Sequence, residues 1–247
     1  MRLYGLIGKT LTHSFSGQFF AKKFASEGIV DCRYDLFPLV AVGDLSGLIQ
    51  SHPTLRGLNV TIPYKQDVLA FLDAHVIPPE IGACNCIDIR GGKLIGYNTD
   101  WIGFEKSLLP LLEPRHRAAM VLGSGGASLA VRYVLKKNGI PYTLVGRSRS
   151  SAIDMTYDEL EVATMQSHSI IINTTPLGTY PSVDTCPPLP YEGVGPQHLL
   201  YDLVYNPATT LFLQKGEERG ARIKNGEEML ILQAEESWRI WNQEANC

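Results

Sequence analysis

Met120-Val121-Leu122-Gly123-Ser124-Gly125-Gly126-Ala127-Ser128 is the stretch that decides the fold: an apolar run of strand length ends in a glycine-rich turn that opens a helix. Glycines permit the tight turn and let backbone N–H groups close on a pyrophosphate, which also meets the positive end of the helix dipole. Taken alone, such a turn is an ordinary strand-to-helix connection. Its surroundings add weight. A helix is predicted over Ser128 to Lys137, ending at Asn138-Gly139 as a C-cap, and a strand follows over Tyr142 to Val145. Further strands are predicted at Ala118 to Leu122, Ser169 to Asn173, Leu199 to Val204 and Ala221 to Lys224. Strands alternating with helices imply parallel pairing and an α/β architecture.

The second of these strands runs out at Gly146-Arg147-Ser148-Arg149. In a Rossmann-like dinucleotide fold this is where the adenosine ribose is read. NAD binders place an Asp or Glu there for the 2′-hydroxyl, and NADP binders use arginine for the 2′-phosphate. Here the nearest acid, Asp154, comes later. A planar, always-charged guanidinium suits a phosphate, so NADP is expected in preference to NAD; the bland alternative is a solvated basic loop.

Before this region the pattern differs. Strands are predicted at Arg2 to Gly8, Cys32 to Phe37 and Gly57 to Thr61, with helices at Ser16 to Glu27 and Val42 to Gln50. Pro63 is expected to open a helix through Val68, Leu69 and Leu72. Cys84 to Arg90 and Leu94 to Tyr97, joined by Gly91-Gly92, read as a hairpin. Glu227 to Trp241 makes a terminal helix, and the proline-rich Tyr180 to Pro196 reads as a surface loop. Two α/β domains result: residues 1–100 with 227–247, and residues 101–226.

The 247 residues carry a net charge of −3 and no basic cluster, so nothing calls for a nucleic-acid partner. No apolar run reaches the roughly 18 residues of a membrane span. Five scattered cysteines fit a reducing, cytoplasmic compartment better than a disulfide framework. Cys84 and Cys86 have poor zinc spacing, and no metal is expected.

Several blocks resemble those of the shikimate dehydrogenase family, and in its order. They are Gly5-Leu6-Ile7-Gly8 with His13-Ser14-Phe15-Ser16; Asn59-Val60-Thr61-Ile62-Pro63-Tyr64-Lys65; Gly82-Ala83-Cys84-Asn85; and Gly96-Tyr97-Asn98-Thr99-Asp100-Trp101-Ile102-Gly103. After the turn at 123–128 come Ile172-Asn173-Thr174-Thr175-Pro176-Leu177-Gly178, Tyr201-Asp202-Leu203-Val204-Tyr205-Asn206-Pro207 and Gly226-Glu227-Glu228-Met229-Leu230-Ile231-Leu232-Gln233.

The resemblance implies a reversible reduction of 3-dehydroshikimate to shikimate in aromatic amino-acid biosynthesis, with a substrate domain, a Rossmann-like domain and a cleft between them. It implies that Ser14 and Ser16 bind the substrate carboxylate. Thr61, Lys65, Asn85, Asp100 and Gln233 would hold ring hydroxyls, with Tyr205 also at the substrate. Lys65 and Asp100 would form the catalytic pair, either of them serving as base. Gly123, Ser124, Gly125, Gly126, Ala127, Arg147, Ser148, Arg149, Asn173, Thr174, Thr175, Leu203, Gly226 and Met229 would contact the cofactor.

Read by residue type alone, Lys65 is a surface lysine, Asp100 a helix N-cap, and Ser14 and Ser16 caps of the helix that begins there. His13 lacks the elbow and acid of a nucleophilic triad and reads as structural. The chain departs from the family at Gly17-Gln18-Phe19-Phe20-Ala21, at Cys86 in place of Thr, and at Gly146 in place of Asn. Its short length for the family implies trimmed loops. A quinate or NAD-dependent paralogue, or a non-catalytic ligand sensor, are the rival readings, and the chain is expected to be a monomer or homodimer.

Overall fold

The computed structural model describes residues 1–11 and 14–243. The chain divides into two compact units, Met1–Ile102 with Gln233–Cys247, and Gly103–Leu232.

The first unit is built on a six-stranded mixed sheet. In chain order its elements are β1 (Arg2–Gly8), α1 (Phe15–Ser26), β2 (Cys32–Pro38), α2 (Leu45–Ser51), β3 (Leu55–Val60), β4 (Ala74–Val76), β5 (Cys86–Arg90), β6 (Lys93–Tyr97) and the start of α3 (Asp100–Leu108). Strand order is β2-β1-β3-β5-β6-β4. Strands β1, β2 and β3 run parallel, and the expected hairpin β5–β6 joins them antiparallel through β3.

The second unit holds β7 (Ala119–Leu122), α4 (Gly126–Lys137), β8 (Tyr142–Gly146), β9 (Met155–Thr156), α5 (Val162–Ser167), β10 (Ile170–Asn173), β11 (Leu199–Asp202), α6 (Leu211–Glu217), β12 (Arg222–Lys224) and the first part of α7 (Glu227–Asn242). Its sheet is wholly parallel in the order β12-β11-β10-β7-β8-β9. Counted within the unit this is 3-2-1-4-5-6, the Rossmann order. A parallel sheet covered on both faces needs uniformly apolar strands, and every residue of β7 is buried.

The end of α7 is fixed to the first unit's sheet by aromatic packing. Trp241 stacks on Tyr4 with ring centroids 5.0 Å apart, and its Nε1 donates to the Ile87 carbonyl at 2.9 Å. Gly57 makes this approach feasible, since a Cβ there would fall 2.3 Å from the Trp241 indole nitrogen.

Three expectations need correction. Pro63 does not open an α-helix; turns lead to a short 3-10 segment, Asp67–Phe71. The Lys65 carbonyl, which a helix would spend on residue 69, instead accepts from Cys84 N at 2.7 Å. The segment from Val42 is 3-10 through Asp44 before α2 begins. The proline-rich stretch is not all surface loop: Leu189, Tyr191 and Val194 join the second unit's buried core with Met165 and Phe212.

Candidate active site

In the first unit the topology gathers residues far apart in sequence at one end of the interior strands. Ser14 and Ser16 follow β1; Thr61 and Lys65 follow β3, its parallel neighbour. Asn85 precedes β5, whose antiparallel course brings its start beside the end of β3, where Val60 N donates to the Asn85 carbonyl. Asp100 follows β6 and opens α3. Gln233 comes in on α7.

Side chains complete the arrangement. Lys65 Nζ lies 2.7 Å from Asp100 Oδ2, with both groups partly exposed. The other carboxylate oxygen, Oδ1, accepts from Asn85 Nδ2 at 2.8 Å. Asn85 cannot turn over, because its Oδ1 accepts the Thr99 backbone N–H at 2.6 Å. The second Asn85 N–H faces Thr99 Oγ1 at 3.0 Å and Gln233 Oε1 at 3.4 Å. Asp100 thus presents an acceptor pair whose orientation is set by buried neighbours. It is the first helical residue rather than the cap expected of it; Asn98 Oδ1 takes the Trp101 N–H instead.

The structure joins Lys65, Asn85, Asp100 and Gln233 in one network and leaves Ser14 and Thr61 outside it. Ser14 caps α1, accepting from Gly17 N at 3.3 Å. Ser16 is the second residue of α1, and desolvation pushes the Tyr34 phenol well above the usual tyrosine range against an opposing influence of Ser16. His13 lies outside the described residues. Tyr34, Asn59, Thr99 and Ser237 also belong to the network, and residue-by-residue reading passed over them. A signal was present for Asn59: it is a polar residue within the apolar run Leu58 to Val60 at the end of β3.

In the second unit the fold's switch point lies between β7 and β10, where open α/β sheets bind ligands. The turn after β7 carries Gly123 at φ +97°, and a Cβ there would meet Thr175 Cγ2 at 2.8 Å. At the neighbouring strand end, Thr174 Oγ1 donates to the Leu122 carbonyl at 2.7 Å and Thr175 N to Asn173 Oδ1 at 3.0 Å. Asn173 Nδ2 donates in turn to Asp202 Oδ1 at 2.9 Å. Burial drives the Asp202 carboxyl up to about 6, against hydrogen bonds from Thr210, Val204 and Asn173 that favour its ionised form.

Helix α4 begins at Gly126 after an N-cap glycine, Gly125, that offers no side-chain acceptor, and a Cβ at either residue would point into open space. The amides of Gly126 and Ala127 are therefore oriented for an anion. Ser124 lies between Gly123 and Gly125 in the same turn. Gly226 lies against Leu203, its Cβ position 2.1 Å from the Leu203 carbonyl oxygen, while Met229 is buried and Tyr205 is exposed. Arg147 and Ser148 are exposed after β8. Arg149 turns back on its own loop, onto Glu159 at 2.5 Å and the Asp154 carbonyl.

Among the described residues no cluster of three His, Cys, Asp or Glu is placed to hold a metal, and no helix is long and apolar enough to cross a membrane. Fold and sites together define a class: an α/β protein with one Rossmann-like unit and a second unit bearing a lysine–carboxylate pair fixed by buried amides.

Comparison with known proteins narrows this class. The family model for the shikimate dehydrogenase substrate binding domain matches residues 6–87. A shikimate dehydrogenase (NADP(+)) of Clostridium beijerinckii is 39% identical over 254 residues, covering 98% of this chain and 93% of its own. One from Caldicellulosiruptor bescii is 34% identical over 259 residues, covering 98% and 89%. The solved shikimate 5-dehydrogenase of Thermus thermophilus, in complex with NADP(H) and shikimate, matches with a TM-score of 0.85 at 28% identity, over 98% of this chain and 94% of that one. The chain belongs to the shikimate dehydrogenase family.

Proposed function

We propose that this chain interconverts shikimate and 3-dehydroshikimate, with NADP as the redox partner. The observation that carries the reading is Lys65 Nζ at 2.7 Å from an Asp100 carboxylate whose other oxygen is held by Asn85. Oxidising a secondary alcohol breaks its C–H bond with the electron pair and removes the O–H proton as the carbonyl forms. The Lys65–Asp100 pair takes that proton as a unit, and the Lys65 ammonium steadies the charge developing on oxygen. In the reverse direction the same pair returns the proton. Asn85, Thr61 and Gln233 orient the ring hydroxyls, and the Ser14 and Ser16 hydroxyls hold the carboxylate.

The residues present suit a dinucleotide. The α4 amides lack a side-chain cap and open space lies over Gly125 and Gly126, as a pyrophosphate requires. Gly123, Ser124 and Ala127 complete that turn, Arg147 with Ser148 faces the ribose phosphate while Arg149 is held by Glu159, and Asn173, Thr174, Thr175, Leu203, Gly226 and Met229 serve the nicotinamide end. When bound, NADP supplies the acceptor for the hydride. On this reading the first unit is the substrate domain and the second the cofactor domain of a cytoplasmic monomer or homodimer.

The test is absorbance of reduced nicotinamide on mixing the protein with shikimate and either NADP or NAD. Turnover with NADP supports the proposal. Turnover with NAD alone overturns the cofactor, and turnover of quinate in place of shikimate overturns the substrate. Shikimate binding without turnover points to a sensor.

A further inference from the structure

Behind Asn85 lies a fully buried hydroxyl that the proposed chemistry does not itself use. Ser237, one turn beyond Gln233 on α7, is 0% exposed. Its Oγ accepts from Asn59 Nδ2 at 3.0 Å, lies 3.2 Å from Thr99 Oγ1 and donates to the Gln233 carbonyl at 3.0 Å. Asn59 is held from its other end, since Tyr34 Oη donates to Asn59 Oδ1 at 2.9 Å. Thr99 Oγ1 touches Asn85 Nδ2 and Gln233 Oε1, the two amides nearest the Lys65–Asp100 pair.

The donor count leaves little freedom. Asn85 spends one N–H on Asp100 and the other on Thr99 Oγ1, so the Thr99 hydroxyl accepts there and has one proton to give. That proton goes to Gln233 Oε1 at 3.3 Å, while Ser237 receives Asn59 and shares its own proton between the Gln233 carbonyl at 3.0 Å and Thr99 Oγ1 at 3.2 Å. We infer that Ser237 is a positioning residue: through Thr99 it holds Asn85 and Gln233 in register, and so fixes the Asp100 carboxylate against Lys65. The inference rests on the function proposed above. A buried hydroxyl satisfied on three sides is costly to remove, because its partners stay behind unpaired.

The experiment compares Ser237→Ala with the unaltered protein in two ways. Steady-state kinetics with shikimate and NADP separate kcat from the two KM values. Hydrogen exchange of the Asn85 side-chain amide, followed by NMR without ligands, reports its orientation independently of turnover. The expected result is a kcat about tenfold lower with the NADP KM unchanged, and Asn85 amide exchange faster by about tenfold. Unchanged kcat and unchanged exchange, with only a lower melting temperature, would overturn the inference while leaving the proposed reaction intact. If the unaltered protein does not turn over shikimate, the reaction fails, and the exchange measurement alone decides whether Ser237 fixes Asn85.

Discussion

The backbone N–H of Thr99 donates to Asn85 Oδ1 at 2.6 Å, and this one bond determines which end of the Asn85 amide faces Asp100. Asn85→Asp keeps an acceptor for Thr99 but places a second carboxylate oxygen near 2.8 Å from Asp100 Oδ1, the present Asn85 distance. Two carboxylates that close cannot both ionise, so a proton is trapped between them and the charge facing Lys65 is weakened. The variant is expected to lose about a hundredfold in kcat with the NADP KM within about twofold. Steady-state kinetics check this, and an unchanged kcat would contradict it.

The two arginines after β8 are predicted to be unequal. Arg149 is committed to Glu159 and the Asp154 carbonyl, while Arg147 stays exposed. Arg147→Ala should raise the NADP KM by about tenfold or more and leave that for NAD nearly unchanged, since charge-assisted phosphate contacts are worth about 1.5–3 kcal/mol. Arg149→Ala should move either constant by less than about threefold. Equal losses from the two variants would count against the assignment.

Asp202 makes stability depend on pH. Its carboxyl rises from an ordinary 3.8 to about 6 on burial, so the folded state holds the proton more tightly than the unfolded chain. This contribution is therefore fully present below about pH 4 and is lost as pH rises through about 6. Its full size is on the order of 3 kcal/mol. Asp202→Asn removes the titration. Urea unfolding from pH 4 to 7 should therefore show the unaltered protein losing stability relative to the variant as pH rises, and a constant difference would contradict the assignment.

How much of this was legible depends on where each residue's partners lie. The parallel sheet was readable because its interior strands are continuous apolar runs, β7 and β10 above all, and the turn at Gly123 announces itself locally. The segment after Pro63 was misread because its backbone partner, Cys84, belongs to another strand. Leu189, Tyr191 and Val194 were hidden in a proline-rich stretch whose burial depends on packing against Met165 and Phe212. Lys65 and Asp100 came together only through the family resemblance, since neither residue type at its own position implies the other. Ser237 had no such help: it lies 178 positions from Asn59 and meets it only once α7 folds back on the sheet.

The most direct measurement of the central claim is the turnover of shikimate with NADP by Lys65→Met and Asp100→Asn, each compared with the unaltered protein under saturating substrate. If the pair carries the proton, kcat falls by about 10²–10⁴-fold in both variants while NADP affinity is kept. Turnover within about threefold of the unaltered protein in either variant would contradict the account.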